Sequence, residues 1–98
     1  MSKDDPVLVE LGARGPMLAA RDRVRELLRD AEGAAPVLLD AAGLTFISRT
    51  AAAELLDAVR RWRAAGRTVE WRNVGDDIVK MFRAVDPTAE IDRTKDGM

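Results

Sequence analysis

The chain lacks both histidine and cysteine, the side chains on which much nucleophilic and metal-dependent chemistry relies. Without them its 98 residues can form no disulfide, no Ser–His or Cys–His nucleophile pair, and no ordinary zinc site. Carboxylates, lysines, arginines and hydroxyls are left for acid–base work. We therefore expect a binding or regulatory module rather than an enzyme, with no cofactor and no metal.

Aromatic residues are scarce, and tyrosine is absent. They make up 4% of the chain, so the core must be mainly aliphatic. The hydrophobic content of 47% is ordinary for a folded protein. The length fits one domain, which we assign to residues 1–98 with an ordered core over residues 6–93.

The chain has no excess of either charge and no long apolar run. Its 16 basic and 17 acidic residues give a net charge of −1, which does not favour nucleic acid or an anionic membrane. No apolar run approaches the roughly 20 residues of a membrane span. The first residues also lack the apolar segment of a signal peptide. We expect a cytoplasmic protein that binds neither nucleic acid nor membrane.

Apolar spacing and turn residues divide the chain into alternating strands and helices. Strands are predicted at 7–11, 36–40, 67–74 and 89–94, and helices at 17–31, 50–65 and 77–85. Helices between successive strands favour right-handed crossovers. The prediction is an α/β fold in the order βαβαβαβ, with a mostly parallel or mixed four-stranded sheet and three helices.

Two details of this pattern concern which side chains are buried. In the first predicted helix, the helical spacing includes Met17 with Val24 and Leu28, so Met17 is expected to face the core. In the strand at 67–74, Glu70 and Arg72 alternate with apolar residues, which indicates that one sheet face is partly wet. Whether the helices cover one face of the sheet or both is left open.

The segment TFISRTAAAELL, residues 45–56, joins an apolar strand-like piece to a helix. The first N–H groups of a helix have no partner inside the helix, so Ser48 or Thr50 could simply cap them. A phosphate on Thr50 would also be stabilised by the positive end of the helix, and Arg49 could clamp it or a free anion. Alternatively, Arg49 is a solvated side chain or pairs with Glu54.

Two longer segments, VLLDAAGLTFI and AAGRTVEWRNVGDDIVKMFRAV, resemble the STAS domain of anti-sigma-factor antagonists over residues 36–85. Members of that family typically have Asp-Ser-Ser-Gly at the following helix start, where this chain has Ser48-Arg49-Thr50-Ala51. Thr50 stands at the position of the phosphorylated serine. FISRTAAAELL, with LGARGP and RDRVRELL earlier, is more similar to a bacterial and archaeal STAS-like subfamily whose helix starts with Ile-Ser-Arg-Ser/Thr.

The resemblance implies a STAS fold and a non-catalytic protein-interaction module of signalling or transcription regulation. Phosphorylation at Thr50, or secondarily at Ser48, would switch it. The partner would contact Ser48, Arg49, Thr50 and Glu54 at the start of the helix. The family implies a kinase-type anti-sigma factor or a related ATPase as that partner.

A rival hypothesis is a small anion or nucleotide sensor. Gly12, Arg14 and Gly15 in the GARG turn could form a backbone anion nest, with Arg49 as a second cation. A separate open question is self-association, because the weak strand at 89–94 would offer a free edge to a second copy.

Overall fold

Strands and helices alternate through residues 5–91, the part of the chain that the computed structural model describes. The strands are β1 (Val7–Glu10), β2 (Met17–Leu18), β3 (Val37–Asp40), β4 (Phe46–Ile47) and β5 (Val69–Arg72). The helices are α1 (Arg21–Leu28), α2 (Arg49–Ala64) and α3 (Asp76–Val85), and a 3-10 turn at Arg29–Ala31 extends α1. The predicted α/β class with three helices is confirmed.

The main sheet contains three parallel strands in the order β1-β3-β5. In register across it, Val9, Leu39 and Trp71 are buried on one face. Glu70 and Arg72 point to the other face and are exposed, as their alternation predicted. The helices therefore cover one face of this sheet, which answers the question that the sequence pattern left open.

A second, two-stranded sheet corrects the predicted topology. β2 and β4 pair in parallel, so the structure has strands in two sheets rather than one four-stranded sheet in the order βαβαβαβ. The predicted helix at 17–31 begins only at Arg21. The carbonyl of Pro16 accepts the N–H groups of Thr45, at 2.7 Å, and Phe46, at 3.1 Å. This tertiary pairing overrides the helical spacing of the apolar residues.

The prediction of a last strand at 89–94 is wrong for the portion that can be assessed. Residues 89–91 have no strand conformation, and residues 92–94 lie outside the described residues. Ile91 is nevertheless buried in the core. The free edge that this strand was expected to offer to a second copy therefore has no basis in residues 89–91.

Aliphatic side chains fill most of the core, as the composition requires. α2 contributes seven buried residues to it, namely Ala51, Ala52, Leu55, Leu56, Ala58, Val59 and Trp62. The aromatic contact between Trp71 and Phe82 has ring centroids 5.0 Å apart and joins β5 to α3. Within residues 5–91, no helix combines the length and the apolar character needed to cross a membrane.

The turn after β1 lies directly against the turn after β3. A Cβ atom on Gly12 would stand 2.5 Å from the carbonyl oxygen of Ala42 and 3.2 Å from the carbonyl carbon of Gly43. Both obstacles are backbone atoms, which cannot rotate away as a side chain can. Gly12 is therefore required for the close approach of these two turns.

Replacing Gly12 with alanine should destabilise the fold by about 1–3 kcal/mol, because the two turns must separate to admit the methyl group. Urea unfolding measures this loss. Gly75→Ala is the control for steric clash, since a Cβ at Gly75 meets nothing within 4 Å, and its loss should be limited to the poorer N-cap that alanine gives α3. Equal losses of unfolding free energy in the two variants would show that the contact with Ala42 is unimportant.

Candidate functional site

Ser48 caps α2 and also ties it to the segment before α1. Its hydroxyl oxygen accepts the N–H of Ala51 at 3.0 Å and donates its own hydrogen to the carbonyl of Ala19 at 2.7 Å. Its backbone N–H donates to the carbonyl of Leu18 at 3.0 Å. The half-buried side chain thus has both its donor and an acceptor position engaged.

Arg49 and Thr50 occupy the first two positions of α2, and both are exposed. Within the described part of the chain, neither side chain makes a hydrogen bond or an ion pair. The first turn of α2 contains no acidic residue, so its positive end is not neutralised locally. The helix start therefore presents an accessible hydroxyl beside a guanidinium that has no ion-pair partner among residues 5–91.

Glu54 lies one turn further along α2 and belongs to an ion-pair network. Its carboxylate is 3.1 Å from the Nε of Arg25 and 3.8 Å from the Nε of Arg21, which joins α2 to α1. The proposed pairing of Arg49 with Glu54 is therefore not what the structure has. A shallow groove of about 330 Å³ runs past these side chains and is lined by Arg21, Arg49, Thr50, Ala53, Glu54 and Asp57.

The GARG turn offers little to an anion. Arg14 is ion-paired with Glu26 at 3.0 Å. The N–H groups of Ala13 and Gly15 are used inside the turn, donating to the carbonyls of Glu10 and Gly12. The depression beside the turn is lined by the carboxylate-bearing residues Glu10 and Asp40, and Arg49 lines a different one. The structure does not combine this turn and Arg49 into one site.

Asp40 holds together the turns that follow β3 and β5. One of its carboxylate oxygens accepts the N–H of Ala42 at 2.9 Å and the side-chain amide of Asn73 at 3.0 Å. Asn73 has a positive φ of 56°, a conformation that asparagine tolerates better than most residues. The Asp40 carboxylate therefore stabilises the turn that leads from β3 into β4, and so the chain that continues into α2.

The sequence prediction did not identify two exposed apolar side chains that lie near the start of α2. Met17 is 64% exposed and Phe46 is 45% exposed, although Met17 was predicted to face the core. They are partners in the register of β2 and β4, while their neighbours Leu18 and Ile47 are buried. The available signal was the strand period: of Phe46 and Ile47, only one can face the core.

A further cavity of about 340 Å³ lies between α2, β5 and the segment after α3. At its edge Asp86 accepts hydrogen bonds from the hydroxyl of Thr88, at 2.7 Å, and from its N–H, at 3.0 Å. Arg60 lies 2.8 Å from the same carboxylate. The Thr88 hydrogen bonds first, and then the Arg60 charge, lower the pKa of Asp86 below its ordinary value of 3.8.

The protein is a small α/β domain in which helices cover one face of a parallel sheet. Its candidate site is the start of α2, where two hydroxyl-bearing residues follow the short strand β4. Residues 17–88 match the family model described as "Mlab, STAS domain". The chain belongs to the STAS family, which is generally linked to anti-sigma-factor antagonism or other regulatory roles. No curated protein and no solved structure gives a significant match.

Ser48→Ala should lower the free energy of unfolding by about 1–2 kcal/mol, because it removes the cap and leaves the Ala19 carbonyl without its donor. Thr50→Ala should change it by no more than about 0.5 kcal/mol, because the threonine side chain bonds to no described residue. Chemical denaturation of both variants checks this. A larger loss in Thr50→Ala than in Ser48→Ala would contradict the roles assigned to the two hydroxyls.

Asp86 should make folding stability depend on pH in the acid range. Because its pKa is lower in the folded state, the ionised carboxylate stabilises the fold above pH 3.8, and this stabilisation is lost as the pH falls through the folded pKa. Asp86→Asn should therefore be less stable than the parent at neutral pH, with the difference shrinking in acid. Urea unfolding across this pH range measures it.

Thr88→Val is the companion variant, since it removes the hydroxyl that donates to Asp86 and keeps the carboxylate itself. It should remove part of the pH dependence of the unfolding free energy in the acid range. A difference between parent and Asp86→Asn that stays constant with pH would contradict the assignment.

Proposed function

We propose that this chain is a non-catalytic regulatory module that binds a protein partner through the start of α2, and that phosphorylation of Thr50 switches the binding. The observation that supports this most directly is the difference in hydrogen bonding between the hydroxyls of Ser48 and Thr50. The Ser48 hydroxyl is engaged in structural hydrogen bonds, whereas the Thr50 hydroxyl is exposed and bonds to no described residue. Thr50 is therefore the better substrate for a kinase.

The local electrostatics are suited to a phosphate at this position. A phosphate adds nearly two negative charges, and they would lie at the positive end of a helix whose first turn has no acid. Arg49 is unpaired among residues 5–91 and lines the same groove as Thr50. Modification would convert a basic helix start into an acidic one, and this would repel an acidic partner.

Membership of the STAS family supports a kinase-type anti-sigma factor or a related ATPase as the partner class. The rival function, a small anion or nucleotide sensor, has weaker support. Its proposed site needs Arg14 and the GARG turn beside Arg49, yet Arg14 is paired with Glu26 and the two regions line different depressions. A thermal-shift series with phosphate and nucleotides would detect a sensor as ligand-dependent stabilisation.

Phosphate-affinity gels of the protein from its native cells should show a second, retarded species that disappears in Thr50→Ala. Thr68→Ala is the matched control, because Thr68 is also exposed but lies beyond the other end of α2. A kinase-like ATPase encoded beside the gene would be the first partner to test. Thr50→Asp should weaken its binding at least about tenfold, roughly 1.4 kcal/mol. A single unshifted species under every growth condition, together with unchanged binding by Thr50→Asp, would rule out the switch.

A further inference from the structure

Met17 and Phe46 form an apolar pair beside the start of α2. They are register partners on neighbouring strands of the small sheet, which places their side chains on the same face at a strand spacing of about 4.8 Å. Leu8, the other strongly exposed large apolar residue in the described part of the chain, lies in the main sheet instead. A single exposed apolar side chain needs no explanation, whereas neighbouring ones join into a contiguous apolar area, the feature that marks interaction surfaces when it is large enough.

This pair is rigidly connected to the candidate switch. Arg49 comes three positions after Phe46 in the chain, so their Cα atoms are at most about 11 Å apart. Between them, Ser48 holds the end of β2 through hydrogen bonds to the carbonyls of Leu18, at 3.0 Å, and Ala19, at 2.7 Å. The apolar pair, the Arg49 backbone and the Thr50 backbone thus belong to one fixed unit.

The charge at this surface indicates the chemistry of its partner. The nearby Arg21 and Arg25 both pair with Glu54, which leaves Arg49 as the cation of the groove that has no acid among residues 5–91. The positive end of α2 adds to its field. An apolar pair on the backbone segment that leads to this guanidinium complements a peptide that carries an apolar side chain and a carboxylate close together.

A second copy of this chain fits the surface less well. A two-fold symmetric contact places the same patch on both sides of the interface. A contact whose two-fold axis passes close to Arg49 would bring two Arg49 side chains and two positive helix ends towards each other, with no acid from the first turn of either α2 to separate them. Like charges at close range oppose such an interface.

We propose that Met17, Phe46 and Arg49 together recognise a protein segment that carries an apolar side chain next to an aspartate or glutamate. The apolar pair provides contact area, and Arg49 selects the acid. This inference names the partner chemistry of the proposed function and rests on it. A phosphate on Thr50 would compete with the partner's carboxylate for Arg49 and repel it.

A random 12-residue peptide library displayed on phage, panned against the purified unphosphorylated protein, tests this recognition. Enriched peptides should combine a large apolar residue with an adjacent acid. For a synthetic peptide with an enriched sequence, Met17→Ser and Phe46→Ser should each raise the Kd at least tenfold, as measured by fluorescence anisotropy. Arg49→Ala should raise the Kd as well and should remove most of its dependence on salt concentration. Arg49→Glu should shift the enriched sequences from acidic to basic.

Two matched controls should leave the Kd within twofold of the parent value. Leu8→Ser removes an equally exposed apolar residue from the other sheet. Arg29→Ala removes an arginine from the 3-10 turn that follows α1, about 12 Å from Arg21 along the helix direction. Unchanged thermal midpoints would show that the Met17 and Phe46 variants, which alter exposed side chains, remain folded.

Enriched peptides without acids, or a Kd that the Met17 and Phe46 variants leave unchanged, would overturn the proposal. So would sedimentation showing that these variants convert a dimer to a monomer without affecting peptide binding, because the surface would then serve a second copy. The peptide assay needs no phosphorylation. An absence of phosphorylated Thr50 in cells would therefore defeat the switch and leave this recognition standing, while failure of the peptide assay would defeat the recognition alone.

Discussion

The candidate binding surface of Met17, Phe46 and Arg49 depends on the two hydrogen bonds that the Ser48 hydroxyl makes. One oxygen atom accepts from the N–H of Ala51 and donates to the carbonyl of Ala19, so it satisfies an orphan donor of α2 and a loop acceptor at once. It also joins two segments that are 29 residues apart in sequence. The short sheet of β2 and β4 has two residue pairs, and this bond extends its pairing into the helix start. The positions of Met17, Phe46 and Arg49 relative to one another follow from that connection.

A second set of contacts fixes the turn after β3, which leads into β4 and the start of α2. Asp40 binds Ala42 and Asn73, and the absence of a side chain at Gly12 lets the first turn lie against the turn that contains Ala42. Both are polar or steric constraints on the backbone rather than gains from burial. The core fixes the sheet and the helices, and these turn contacts fix where the chain emerges from the sheet to form β4.

The parts of the fold that the sequence predicted well are those where local pattern and tertiary environment agree. The buried strand at β3, the alternating strand at β5 and the long amphipathic α2 each have a strong period and clear breaker residues. β2 was missed because Met17 also fits a helical period with Val24 and Leu28. Its strand conformation depends on β4 and on the Pro16 carbonyl. Such pairings between distant segments leave no local signal. The same limit applied to the site, since the sequence located Ser48 and Thr50 but not which hydroxyl is already engaged.

Arg49 changes how a phosphate at Thr50 would act. Where the resemblance to antagonists implies an acid ahead of the modified hydroxyl, a phosphate adds negative charge to a surface that already carries some. Here the unmodified first turn of α2 is basic, because Arg49 has no acid among residues 5–91 and the helix end is positive. Phosphorylation would then occupy the cation that attracts a partner's carboxylate and also supply a repulsive charge. The two effects act in the same direction, so one modification would change affinity more than added repulsion alone.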